Sequence, residues 1–240
     1  NEENLSNYDG LLIFANIERI SPEAESALLS YVGQGGGLIP VHCASFCFLN
    51  SEKYIELVGG QFRSHGFTRF QTKIVAPDHP IMAGLKPIRS MDESYRHSKL
   101  NPDKTVLETR SSESGPVSNP DGEPYTWIRM SGKGRVFYTA WGHDRRTWGN
   151  PGFQNLLERG IRWACSTDPT IVPDFQADIQ NEFPVPKMTS LPSDLEPFKY
   201  QEADIAFYPP GAGRTGDGQW NQMQLPLSPA ESMKHFVVPE

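Results

Sequence analysis

Six histidines are spread over 240 residues, and three of them stand where the chain leaves a strand or a helix. His42 ends a short apolar run, His143 follows another within Trp141-Gly142-His143-Asp144, and His65 comes after a stretch closed by Gly59-Gly60. Open α/β sheets bind ligands beyond the carboxyl ends of their strands, so if the strands ending near His42 and Trp141 run parallel, both imidazoles reach one rim. Position alone leaves structural roles open, because histidines also cap, bridge and fill. The acidic candidates lie in Met91-Asp92-Glu93-Ser94-Tyr95-Arg96-His97. Adjacent residues on an extended chain point to opposite sides, so one carboxylate faces a pocket while the other binds local backbone, and Glu93 is taken as the pocket member. A solvated loop with ordinary surface charge is the plainer alternative for this stretch. His79, in Asp78-His79-Pro80, reads as a structural turn, and His235 lies near the end of the chain.

Cys43, Cys47 and Cys165 are too few for a disulfide scaffold, and their odd number leaves at least one unpaired within the chain. The spacing of Cys43 and Cys47 puts them on one helix face, where two free buried thiols are the commoner outcome. The aromatics Trp127, Tyr138, Trp141 and Trp148 cluster in the second half of the chain. Core packing accounts for most of them, while Trp141 and Trp148, flanking the Gly142-to-Arg146 loop, are expected near the pocket.

The elements that must hold these residues follow from hydropathy. Leu11 to Ala15 is an apolar run of the kind a strand covered on both faces needs. Ser21 and Pro22 supply an N-cap and a first-turn proline, and Ala24, Ala27, Leu28, Tyr31 and Val32 keep helical spacing up to the glycine-rich stop at residues 33–37. Leu38 to His42 returns as a strand, so the segment reads as a right-handed βαβ unit. An Asn50 or Ser51 cap opens a second helix through Tyr54, Ile55 and Val58. Strands are expected at Phe70–Val75, Thr105–Thr109, Tyr125–Met130 and Gly134–Trp141, the last two joined as a hairpin through Ser131–Gly134. A final helix opens at Asn150-Pro151 and carries Phe153, Leu156, Leu157, Ile161 and Ala164 along one face. Residues 1–166 thus form one α/β domain. Residues 167–240 read as a proline-rich linker or wrapping tail, because 11 of the 21 prolines fall in the last 75 residues without a persistent period. The chain opens directly into what looks like a later strand of a doubly wound sheet, so one or two further βα units, roughly 40 to 60 residues, are expected to precede it.

A net charge of −7, from 22 basic and 29 acidic residues, argues against nucleic acid as a partner, since phosphate binding needs clustered Lys and Arg. No apolar run approaches the roughly 20 residues that a membrane span requires.

The blocks YDGLLIFAN, SPEAESALLSYVGQGGGLIPVHCAS, YIELVGGQFRSHG, PDHPIMAGL, MDESYRH, GKGRVFYTAWGHD and NPGFQNLLERGIRWA, in this order, resemble ThuA-like (trehalose utilisation) domains from about Tyr8 to Ala164. The resemblance implies a flavodoxin-like, class I glutamine amidotransferase-like three-layer sandwich with a mostly parallel sheet. It also implies that His42, His65, Glu93 and His143 line one pocket with Tyr95 beside them. Three imidazoles and a carboxylate suit a borderline divalent ion, zinc above all, held by His42, His65 and His143. Without metal the same groups serve as acid and base toward sugar oxygens, Glu93 and His143 being the catalytic pair. His42, His65, Tyr95, Trp141 and Asp144 are the expected substrate contacts. In the amidotransferase relatives a cysteine occupies a glycine-flanked elbow; here His42 takes its place in Pro40-Val41-His42-Cys43-Ala44-Ser45, which speaks against glutamine hydrolysis.

Two functions follow from the resemblance. One is an enzyme that hydrolyses or isomerises a keto-sugar or glycoside. The other is a sugar-binding or docking module of a larger exported dehydrogenase or cytochrome assembly, because Phe198 to Glu240 resembles the connector between such domains. No Cys-x-x-Cys-His occurs, so the chain is expected to hold neither haem nor nucleotide itself.

Overall fold

The structure is a computed structural model that describes residues 2–175. A short helix, α1 (Glu2–Leu5), leads into β1 (Gly10–Ile13) and α2 (Pro22–Gln34). The Ser21 hydroxyl accepts the Ala24 N–H at 3.2 Å and Pro22 sits in the first turn, so α2 starts where its cap and its missing donor dictate. β2 (Gly37–Pro40) follows, then a 3-10 turn over His42–Phe46 and α3 (Glu52–Val58), capped by the Ser51 hydroxyl on the Tyr54 N–H at 2.9 Å. The chain then runs through β3 (Gln61–Ile74), β4 (Arg89–Ser98), β5 (Thr105–Arg110), β6 (Glu123–Ser131) and β7 (Gly134–Thr139) without another crossover helix. Two helices, α4 (Arg145–Trp148) and α5 (Pro151–Ala164), complete the domain.

The strands form one sheet in the order β1-β2-β7-β6-β5-β3-β4. β1, β2 and β7 are parallel, and every later pairing is antiparallel. The parallel sheet expected from the sequence is therefore confined to the half that holds the βαβ unit. Beyond it no α-helix intervenes to carry the chain across the sheet, and each strand runs antiparallel to its neighbours. The tightest is the β6–β7 hairpin, where Ser131 pairs with Gly134 across Gly132 at φ 58°.

Successive residues of β7 show the layering. Arg135 donates to the Trp163 carbonyl of α5 at 3.0 Å, and Phe137 lies against Gly160 of the same helix. Gly134, one residue out of phase, backs onto Val32 of α2, and Tyr138 reaches Ser45 in the 3-10 turn at 2.9 Å. Helices thus cover both faces of an α/β sandwich, with Leu38, Ile39, Val136, Phe137, Phe153 and Leu156 as its dry centre.

The chain stays with the domain beyond Ser166. Asn155 on α5 donates to the Pro173 carbonyl at 2.7 Å and accepts the Phe175 N–H at 2.8 Å, and Arg159 reaches the Val172 carbonyl. The rest of the expected tail, including His235, lies outside the described residues. Among the described residues, no helix is long and apolar enough to cross a membrane.

Candidate functional site

His42 stands at the end of the β2 direction, one residue past Val41, which bridges in parallel to Thr139 at the end of β7. The two strands therefore release His42 and His143 at one rim, as the parallel arrangement required. His42 adopts φ 52°, a left-handed conformation that costs a residue with a side chain about 1–3 kcal/mol. The elbow that the sequence lacked a glycine for is made by the histidine itself. Its Nδ1 lies 2.7 Å from the Ala140 carbonyl, which only an N–H can satisfy, so in the neutral ring Nε2 carries the lone pair. Its ring stacks on Tyr95, with centroids 4.3 Å apart, and Gly142 packs against its Cβ where no side chain fits.

The opposite wall is the β3–β4 ribbon. Register pairs Phe67 with Glu93 and His65 with Tyr95, so these four side chains share one face of the ribbon. Glu93 is held there from behind, since the Tyr125 hydroxyl donates to its carbonyl at 2.6 Å. Its carboxylate meets three imidazoles: His42 Nε2 at 3.3 Å, His143 Nδ1 at 3.2 Å and His65 Nδ1 at 3.5 Å. Burial alone would raise the Glu93 pKa, but the contact with His42 and the nearby His143 and His65 hold it below the ordinary carboxylate value.

Asp92 points the other way, as alternation demands, and is fully buried. It accepts the N–H groups of Glu93 at 2.6 Å, Gly142 at 3.0 Å and His143 at 3.3 Å, and the Thr147 hydroxyl at 2.6 Å. One carboxylate thus ties β4 to the loop carrying His143 while its neighbour faces the histidines. Burial pushes the Asp92 carboxyl above its ordinary range, against the opposing pull of His42 and these donors.

His42, Glu93 and His143 bring their donor atoms within 4.8 Å of one another, close enough to share one metal ion. His65 is not in that set; its Nδ1 also meets the Gly66 carbonyl at 3.2 Å, which leaves it at the edge of the group. A two-histidine, one-carboxylate donor set fits zinc or a similar borderline divalent ion.

Other expected residues fall elsewhere. Trp141, expected to touch substrate, is fully buried, stacked on Phe70 at 4.6 Å and edge-on to Tyr125, so it is a core residue. Two residues before His143, its side chain points back under the sheet, not out of the loop. Trp148 donates to the Gly142 carbonyl at 2.8 Å and braces that loop. Asp144 caps α4 and pairs with Arg146, which occupies its carboxylate. His97, unassigned by the sequence, is buried behind the site on Glu123 and Tyr138.

Phe67 was not foreseen. It is 43% exposed, sits 5.5 Å edge-on to His143 and has the Arg146 guanidinium over its ring at 4.8 Å. An exposed aromatic beside a polar cluster is a signal only once its register opposite Glu93 is known. Burial, together with the neighbouring Cys47, pushes the Cys43 thiol up to about 12, so at neutral pH it is no thiolate nucleophile. A separate cavity of about 350 Å³, lined by Tyr8, Asp9, Tyr31 and Cys165 among others, opens where β1 and β2 begin, away from these imidazoles.

The family model for ThuA, described as trehalose utilisation, matches residues 1–164. A ThuA-like protein from Parabacteroides merdae is similar in fold, with TM-score 0.60 and 23% identity over 70% of this chain and 75% of its own. One from Bacteroides uniformis gives TM-score 0.57 and 22% identity over 71% of this chain and 76% of its own. No curated protein matches the sequence.

Proposed function

The chain belongs to the ThuA, or trehalose utilisation, family, and from that premise we propose that it is a carbohydrate-active enzyme that hydrolyses or isomerises a keto-sugar or glycoside by acid–base chemistry at Glu93. The observation that carries this reading is the convergence of three imidazole nitrogens on one carboxylate. The His42 lone pair faces a carboxylate oxygen at 3.3 Å, and two acceptors cannot bond to each other without a cation between them. A transferable proton or a divalent ion meets that need.

Glu93, held in its ionised form, is the base that takes a proton from a sugar hydroxyl or from a carbon beside a carbonyl, with His42 Nε2 against its other side. His143, whose side chain is 39% exposed, stands on the open side and is the second acid–base group. His65 contacts the sugar hydroxyls, while Tyr95, buried against the His42 ring, backs that imidazole. Phe67 takes the role expected of Trp141, offering an aromatic edge to the apolar face of a sugar ring. A zinc ion held by His42, Glu93 and His143 would polarise a sugar carbonyl or hydroxyl as a Lewis acid.

Two measurements test this. Elemental analysis of the purified protein is expected to find near-stoichiometric divalent metal that His42→Ala loses; active protein free of metal would leave the acid–base arm alone. Turnover of a panel of oxidised and unoxidised disaccharides is expected for wild type and not for Glu93→Gln. Binding of those sugars without any turnover would instead favour the second reading from the tail sequence, a sugar-binding module of a larger exported redox protein.

A further inference from the structure

Behind the candidate centre lies a buried polar chain that the proposed chemistry does not use. Glu123 is fully buried and accepts both the backbone N–H of His97 at 2.7 Å and its Nδ1–H at 2.8 Å. Its other oxygen accepts the Ser118 N–H. These donors hold the Glu123 carboxyl below its ordinary value despite burial, and burial holds His97 below the usual imidazole value, which favours its neutral form. With Glu123 ionised, the His97 tautomer is fixed, and Nε2 is left to accept from the Tyr138 hydroxyl at 3.0 Å. Trp127 closes the space around both rings, 5.1 Å from His97 and 4.2 Å from Tyr138.

The far end of this chain reaches the elbow. With the Tyr138 hydroxyl donating to His97, the 2.9 Å contact between the Tyr138 oxygen and Ser45 is closed by the Ser45 hydroxyl, whose one proton is shared with the His42 carbonyl 3.1 Å away. The His42 carbonyl thus has a hydroxyl cluster on one side, while its ring is fixed by the Ala140 carbonyl and Tyr95 on the other. A left-handed residue persists only where its surroundings over-determine it.

We propose that Tyr138, locked by the buried His97–Glu123 pair, is a positioning residue that holds the His42 elbow through Ser45 and so aims His42 Nε2 at Glu93. The chain touches backbone and not the imidazole, so it transmits geometry and not a proton. The significance of the chain rests on the reading of His42 as part of the centre, but its test does not.

The test uses ¹⁵N-labelled full-length protein and the histidine ring resonances. In wild type the His42 Nδ1–H, bonded to Ala140, is expected to be protected from solvent exchange. In Tyr138→Phe with unchanged circular dichroism, that proton should exchange at least about tenfold faster while the His97 Nδ1–H bonded to Glu123 persists, and Co²⁺ affinity should fall about 10- to 100-fold, as for lost outer-shell partners. Wild-type protection of His42 in folded Tyr138→Phe would overturn the proposal. Should that variant fail to fold, Ser45→Ala, which removes a single hydroxyl, is read by the same signal with the same two outcomes. If wild type binds no Co²⁺, the metal reading falls, and the exchange measurement still decides the positioning role.

Discussion

Two adjacent carboxylates, Asp92 and Glu93, show how little separates a positioning group from a reacting one. Both sit on β4, and alternation along the strand alone gives one to the backbone of the His143 loop and the other to the histidines. Because Glu93 is held below its ordinary pKa, its ionised form stabilises the fold above the unfolded glutamate value of about 4.3, and that contribution is lost as pH falls through the lowered folded value. Urea titrations of wild type and Glu93→Gln through the acid range are therefore expected to show that the stability contributed by the ionised carboxylate is lost as pH falls below about 4.3; a contribution that grows on acidification there would contradict this. Phe67 makes a complementary prediction on binding. Truncation in Phe67→Ala should raise KM for the sugar about tenfold with kcat nearly unchanged, as for loss of roughly 1.4 kcal/mol of uniform binding. A fall in kcat alone, seen in steady-state kinetics, would count against the stacking role.

At the level of elements, the parts legible in the sequence were those whose apolar residues keep a period. The βαβ unit, the caps at Ser21, Ser51 and Asn150, and the β6–β7 hairpin all appear where composition placed them. The β3–β4 ribbon was not legible along most of its length. Gln61 to Arg69 and Arg89 to Ser98 are rich in polar residues, because one face meets solvent or the polar site instead of a dry core. A strand that lines a site thus reads as a loop: His65, Glu93 and Tyr95 were grouped only by the family resemblance, and Phe67 joins them only through register. Trp141 was misplaced for the converse reason: a large aromatic beside a loop that carries a candidate site residue looks like a ligand platform until burial is known. The seat of α5 on the sheet is tight. A Cβ at Gly160 would come within 2.4 Å of the Phe137 ring, so Gly160→Ala is expected to lose about 1–3 kcal/mol through overpacking, not gain helix propensity. Chemical denaturation measures it, and a more stable variant would show that Phe137 yields.

For the molecule as a whole, the last described segment is part of the domain and not a trailing end. Asn155 is almost fully buried, and both its hydrogen bonds go to residues 173–175. Asn155→Ala should lower stability by about 1–3 kcal/mol by leaving those backbone groups without partners. An unchanged melting temperature would mean that the segment does not depend on this anchor.

The ribbon that carries Glu93 joins the rest of the sheet through only three ladder pairs with β5, Thr72–Arg110, Lys73–Thr109 and Ile74–Glu108. It is otherwise held by side chains, among them Asp92 on the Gly142 loop and Tyr125 on the Glu93 carbonyl. The centre therefore lies between this ribbon and the ends of the parallel strands, and it exists only while the two are held together. Partial opening would part Glu93 from His42 and His143 and leave the helical layers standing, so on gentle warming the proposed activity should fade before the helical signal does. Coincident loss of both would mean that the two pieces melt as one.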